Sequence, residues 1–155
     1  MKKISLLGST GSIGVNTLDV VERNPESFQV LAMSAGSNVD LFAEQVRKFK
    51  PKVASLFDTK KIATLKERVA DLDVEIIPGE EGSIAVATLS EADVVVSGVV
   101  GSAGLVPAME ALRAGKNLAL ANKETLVIAG ELVLKEAEKT NSQIIPIDSE
   151  HSAIF

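Results

Sequence analysis

Short apolar runs rich in Val, Ile and Leu alternate along this chain with longer stretches whose apolar residues recur at helical spacing. The short runs predict strands over 4–7, 28–34, 53–57, 93–97, 117–120 and 143–147, with a further short strand or extended segment over 74–77. The stretches between them predict helices over 13–23, 39–49, 60–70, 84–88, 105–114 and 124–139. Stop signals agree: Asn24-Pro25 closes the first helix, Pro51 the second and Gly115 the fifth. The strands are apolar almost without interruption, as in Asp93-Val94-Val95-Val96, which is expected when both faces of a sheet are covered. The expected fold is therefore α/β, doubly wound, with a mostly parallel sheet and helices on both faces. No internal repeat, low-complexity tract or linker divides residues 1–150, which read as one domain.

Composition narrows the chemistry. With 155 residues and 46% hydrophobic content there is enough apolar material for one such core. Cysteine is absent, which removes disulfides, thiolate metal sites and a cysteine nucleophile, and fits a cytoplasmic protein. The start Met-Lys-Lys-Ile-Ser-Leu-Leu-Gly is too short an apolar run for a signal peptide or a membrane span of about 20 residues, so no membrane partner is expected. A formal net charge of -5, with basic residues scattered among acids and five Phe as the sole aromatics, argues against a nucleic-acid partner.

Directly after the first strand comes Gly8-Ser9-Thr10-Gly11-Ser12-Ile13-Gly14, with a helix opening at about Ser12. Glycines at this spacing permit the tight strand-to-helix turn, close approach of backbone to a pyrophosphate and close helix packing, while free helix amides face the phosphate charge. Ser9, Thr10 and Ser12 add hydroxyl donors. This is the pattern of a Rossmann-type dinucleotide-binding domain, against the alternative of a glycine turn without a ligand. NAD-specific sites place an acid at the tip of the second strand. Here that tip reads Ser34-Ala35-Gly36-Ser37-Asn38, and Asp40 falls in the first turn of the next helix, where acids are ordinary. Ser37 and Asn38 can donate to a 2′-phosphate, so NADP is favoured over NAD; Asn38 can also serve as a helix cap.

Short-chain dehydrogenases need a Tyr and Lys pair and semialdehyde dehydrogenases a nucleophilic Cys, and this chain has neither Tyr nor Cys. After the last strand, Asp148 and Glu150 stand two apart and can project to one side at the carboxyl edge of the sheet. Two hard oxygen ligands suit Mg²⁺ or Mn²⁺, although on spacing alone a solvated loop is the commoner reading. His151, the single histidine, reads by itself as a packed or surface residue. Asn122-Lys123-Glu124 follows the strand over 117–120: Asn122 and Glu124 fit a helix cap and its dipole, whereas Lys123 is left to hold an anionic substrate. A second glycine-rich turn, Ser97 to Gly104, offers backbone to a ribose or nicotinamide, with a turn lacking any ligand as the alternative.

Taken together, Gly-Ser-Thr-Gly-Ser-Ile-Gly at 8–14, Ala-Gly-Ser-Asn at 35–38, Ala-Asn-Lys-Glu-Thr at 121–125 and Pro-Ile-Asp-Ser-Glu-His-Ser-Ala-Ile-Phe at 146–155 resemble the 1-deoxy-D-xylulose 5-phosphate reductoisomerases, in order and over the whole chain. The last two motifs are the most specific. The resemblance implies an NADPH-dependent isomeroreduction of 1-deoxy-D-xylulose 5-phosphate to 2-C-methyl-D-erythritol 4-phosphate in non-mevalonate isoprenoid synthesis. It implies cofactor contacts from Thr10, Gly11, Ser12, Ile13, Gly36, Ser37, Asn38, Asn122 and Glu124. Lys123, Ser149 and Glu150 would contact substrate, with Lys123 and Glu150 as the catalytic pair. Asp148 and Glu150 would ligate Mg²⁺ or Mn²⁺ acting as a Lewis acid.

One departure is Ser37, where many family members carry Lys, which weakens the case for strong NADP preference. The other is extent. The family continues through a third metal carboxylate, a closing loop, a phosphate-binding cluster and a helical C-terminal domain, so residues 151–155 would only begin the catalytic domain. The expectation is a fragment that binds cofactor without turnover, from an enzyme that is a homodimer when whole. The alternatives are a stand-alone NAD(P)-binding module or another Rossmann oxidoreductase.

Overall fold

A computed structural model describes residues 1–121 and 123–147. Among them, seven strands form one sheet: β1 Lys2–Leu7, β2 Phe28–Ala35, β3 Val53–Leu56, β4 Glu75–Pro78, β5 Val94–Ser97, β6 Asn117–Leu120 and β7 Ile144–Pro146. Its order is β4-β3-β2-β1-β5-β6-β7 and every pairing is parallel. The helices are α1 Ser12–Arg23, α2 Val39–Phe49, α3 Ile62–Arg68, α4 Gly79–Ala87, α5 Leu105–Arg113 and α6 Lys123–Thr140, with single 3₁₀ turns at Thr59–Lys61 and Ser102–Gly104.

Alternation of side chains along each strand divides the core into two layers. Ile4, Leu6, Met33, Ala54 and Val96 pack with Leu18 of α1, Phe42 and Val46 of α2 and Leu65 of α3. On the opposite face Leu7, Ala32, Val95 and Leu118 pack with Val86 of α4, Leu112 of α5 and Val133 of α6. The two clusters explain the continuous apolar runs, because every second strand residue enters a different core. The chain starts at the centre, winds outward from β1 to β4, then returns through α4 to β5 on the other side of β1. The winding direction reverses between β1 and β5, so the loops leaving their carboxyl ends diverge and open a crevice there.

The segment near 74–77, expected as a short strand or extended segment, is a strand, β4 at the edge of the sheet. Two elements differ from the sequence reading. Helix α4 begins at Gly79, five residues before expectation, with Glu80 and Glu81 in its first turn. The Gly-Glu-Glu-Gly run reads as a turn, yet Gly82 is buried and lets the helix lie directly on Ile77 and Ser55, contacts that only the folded sheet supplies. The third helix is shorter than 60–70 because Asp58 accepts the Lys60 N–H and starts a 3₁₀ turn first. No described helix is long and apolar enough to cross a membrane.

Candidate functional site

The crevice between β1 and β5 holds a cleft of about 410 Å³, walled by the glycine loop, the β2–α2 loop, Phe57 and the turn after β5. Hydrogen bonds between neighbouring strand ends set its shape. The N–H groups of Gly8 and Ser9 both donate to the Ser34 carbonyl, at 2.9 and 2.8 Å, and Gly98 N–H donates to Leu7 at 2.9 Å. Gly8 has φ +82°, and a Cβ on it would stand 3.0 Å from the Gly98 carbonyl carbon; a Cβ on Gly14 would run into the Gly8 oxygen and the Ser9 backbone. These two glycines are demanded by the fold itself.

Gly11 is different. Its φ is -77°, and a Cβ there would meet nothing closer than 3.5 Å. It lines the cleft at the N-cap of α1, where no side chain accepts a hydrogen bond and no acid occupies the first turn. Helix α2, by contrast, is capped by Asn38 Oδ1, which accepts the Leu41 N–H at 3.3 Å, and carries Asp40 in its first turn. The start of α1 is thus an uncapped positive helix end with room directly before it. A pyrophosphate fits this cradle: the amides supply the donors, and the missing Cβ supplies the space.

Of the residues expected to hold cofactor, Thr10, Gly11, Gly36, Ser37 and Asn38 line the cleft together. Ser12 and Ile13 open α1 beside it without forming its wall, and Ile13 packs on Gly98. Lys123 and Glu124 open α6 on the same sheet edge, where Ala121 N–H donates to Ser97 at 3.0 Å and holds the end of β6 against β5. Asn122, Asp148, Ser149, Glu150 and His151 lie outside the described residues. The turn after β5 does border the crevice, through Gly98, Val99, Val100 and Ala103.

One expectation is corrected. Ser9 does not offer its hydroxyl to a ligand: it is fully buried, donates to Gln45 Oε1 at 2.8 Å, and its carbonyl accepts Gln45 Nε2 at 2.9 Å. The glycine loop is pinned to α2 by this reciprocal pair, a long-range contact that spacing does not disclose. Asp40, the acid nearest the β2 tip, is held by Arg68 of α3 in an ion pair, which supports reading the tip as lacking a ribose-binding acid. Two further residues escaped the sequence reading. Phe57, immediately after β3, stays 49% exposed on the cleft wall, and Lys61 sets its ammonium 2.8 Å from the Ser37 carbonyl oxygen.

Comparisons with known proteins agree with this geometry. A family model described as 1-deoxy-D-xylulose 5-phosphate reductoisomerase matches residues 4–130. The reductoisomerase of Desulfitobacterium hafniense (strain DSM 10664 / DCB-2) is 52% identical over 155 residues, covering 100% of this chain and 41% of the relative. The chloroplastic enzyme of Mentha piperita is 55% identical over 156 residues, covering 99% of this chain and 33% of its own. A crystal structure of DOX-P reductoisomerase in complex with NADPH, fosmidomycin and magnesium superposes with TM-score 0.95 at 40% identity, over 99% of this chain and 38% of that one. The Zymomonas mobilis reductoisomerase in complex with NADPH gives 0.92 at 38%, over 97% and 39%. A biliverdin reductase from Synechocystis sp. PCC 6803, at 16% identity and TM-score 0.65, shares the fold alone. The chain spans about two-fifths of the length of the bacterial relative from Desulfitobacterium. A match running through the glycine cradle, both core layers and the turn into α6 makes the chain a member of the 1-deoxy-D-xylulose 5-phosphate reductoisomerase family.

Proposed function

We propose that this chain is the cofactor-binding part of an NADPH-dependent reductoisomerase that converts 1-deoxy-D-xylulose 5-phosphate to 2-C-methyl-D-erythritol 4-phosphate. The observation that carries the reading is the uncapped N-terminus of α1 facing a cleft at the sheet's switch point, with Gly11 bare where the free fold would accept a side chain. Thr10 and the amides of 11–13 would hold the pyrophosphate, with Ser12 beside them, and Gly36, Ser37, Asn38 and Phe57 would hold the adenosine end. Asn122 and Glu124 would hold the nicotinamide end, and Lys123 would receive the anionic substrate.

When bound, NADPH supplies the hydride for the reductive half of the reaction. A divalent cation, Mg²⁺ or Mn²⁺, is assigned to Asp148 and Glu150, with Ser149 and Glu150 on substrate oxygens. The chain's own contribution is to hold the dinucleotide so that one face of the nicotinamide is presented to substrate, and the glycine turns achieve this by letting backbone approach closely. The whole enzyme is assigned as a homodimer, which sedimentation of the full-length protein tests.

Titration of the chain with NADPH and with NADH, followed by nicotinamide fluorescence, tests the cofactor assignment. Saturable binding with preference for NADPH is expected. Equal affinity removes the NADP assignment, and absence of binding by both removes the cleft as a dinucleotide site in this chain.

A further inference from the structure

Ser37 stands where a cation is wanted for a 2′-phosphate, and the structure brings one there from another element. β2 and β3 pair in parallel with Ala35 opposite Leu56. The pairing continues past both strand ends: Phe57 N–H donates to the Ala35 carbonyl and Asp58 N–H to the Gly36 carbonyl, each at 2.9 Å. The 3₁₀ turn Thr59–Lys61 is thereby fixed against the β2–α2 loop, and the Lys61 ammonium donates to the Ser37 carbonyl oxygen at 2.8 Å. Lys61 is exposed, and the Ser37 carbonyl, on a residue that lines the cleft, takes one of the three donor positions of its ammonium.

Of the neighbouring acids, Asp40 is paired with Arg68, and the Asp58 carboxylate accepts the Lys60 N–H at 3.1 Å, which keeps its charge at the start of the turn and not on the Lys61 ammonium. Asn38 is committed through its Oδ1 to capping α2 while its side-chain NH₂ remains a donor. The rim at 36–38 therefore offers a hydroxyl, an amide and one ammonium, the set that distinguishes a phosphate monoester from a ribose hydroxyl.

We propose that Lys61, delivered by the turn after β3, is the specificity-determining cation for the 2′-phosphate of the dinucleotide. The inference rests on the cofactor reading above and goes beyond it by assigning the discrimination to a residue outside the β2 tip. Because Lys61 touches the Ser37 backbone, a purely structural role is the competing account, and the two differ in what they do to NADH. If Lys61 only ordered the loop, its loss would weaken NADPH and NADH alike.

The test measures dissociation constants of NADPH, NADH and adenosine 2′,5′-bisphosphate for the wild-type chain and Lys61→Met, by fluorescence and calorimetry at two salt concentrations. Lys61→Met is expected to weaken NADPH and the bisphosphate about tenfold, to leave NADH unchanged, and to flatten the salt dependence of NADPH binding. Adding Ser37→Lys to Lys61→Met is expected to restore the preference. An equal loss for NADPH and NADH, or an unchanged ratio, overturns the assignment while leaving the cleft intact. Failure of the wild-type chain to bind either dinucleotide overturns the cofactor reading itself, and the assignment with it.

Discussion

Gly11 and Gly14 belong to one glycine loop, and alanine at each separates ligand demand from fold demand. Gly14→Ala drives a methyl into the Gly8 oxygen and the Ser9 backbone and is expected to cost about 1–3 kcal/mol of stability, as overpacking does, measured by denaturant unfolding. Gly11→Ala makes only ordinary van der Waals contacts in the free chain, at 3.5 Å or more, so its stability stays within about 1 kcal/mol of wild type, the size of a cap effect. Its NADPH affinity is expected to fall at least about tenfold, because the methyl occupies the place of the pyrophosphate. Gln45 provides a third case. Gln45→Ala leaves the buried Ser9 hydroxyl without its acceptor and is expected to cost about 1–3 kcal/mol, together with weaker NADPH binding as the loop loosens. Retained stability and affinity in Gln45→Ala would remove the pinning role.

Among the elements, exposed ion pairs tie neighbouring segments without carrying the fold. Lys52, at the start of β3, donates to Glu91 in the loop before β5 at 2.9 Å, and Ser90 donates to the same carboxylate. The Lys52 ammonium, assisted by Ser90, lowers the Glu91 carboxyl from the ordinary glutamate range to about 2. A depressed carboxylate contributes above its ordinary pKa, and the contribution is lost as pH falls from there through about 2. A carboxyl titration by NMR is expected to find Glu91 near that value and to return it toward the ordinary range in Lys52→Met. Arg47 holds the Asp71 carboxylate low in the same sense, joining α2 to the loop after α3. Most elements were legible beforehand, because strand and helix periods are local and Pro51, Gly115 and Asn24-Pro25 end helices by local sterics. The start of α4 was not, since Gly79 and Gly82 argue against helix until β3 and β4 lie beneath them.

At the scale of the whole molecule, the cleft is assembled from loops after β1, β2, β3 and β5, all within the first 107 residues. The chain nevertheless spans 41% of the Desulfitobacterium relative's length. The expected outcome is that this chain takes up NADPH yet does not oxidise it when 1-deoxy-D-xylulose 5-phosphate and Mg²⁺ are supplied, followed by NADPH absorbance. Turnover by the chain alone would show that the reaction needs nothing beyond these residues. By itself the sequence determined the alternation of strand and helix, the cradle at 8–14 and the absence of an acid at the β2 tip, because each depends on residues close together in the chain. Only the tertiary structure decided that Ser9 turns inward to Gln45, that Phe57 faces the cleft and that Lys61 reaches Ser37. Those contacts join residues 22 to 36 positions apart through the register of neighbouring strands and the packing of α2, and no local pattern in the chain encodes which loops that register brings together.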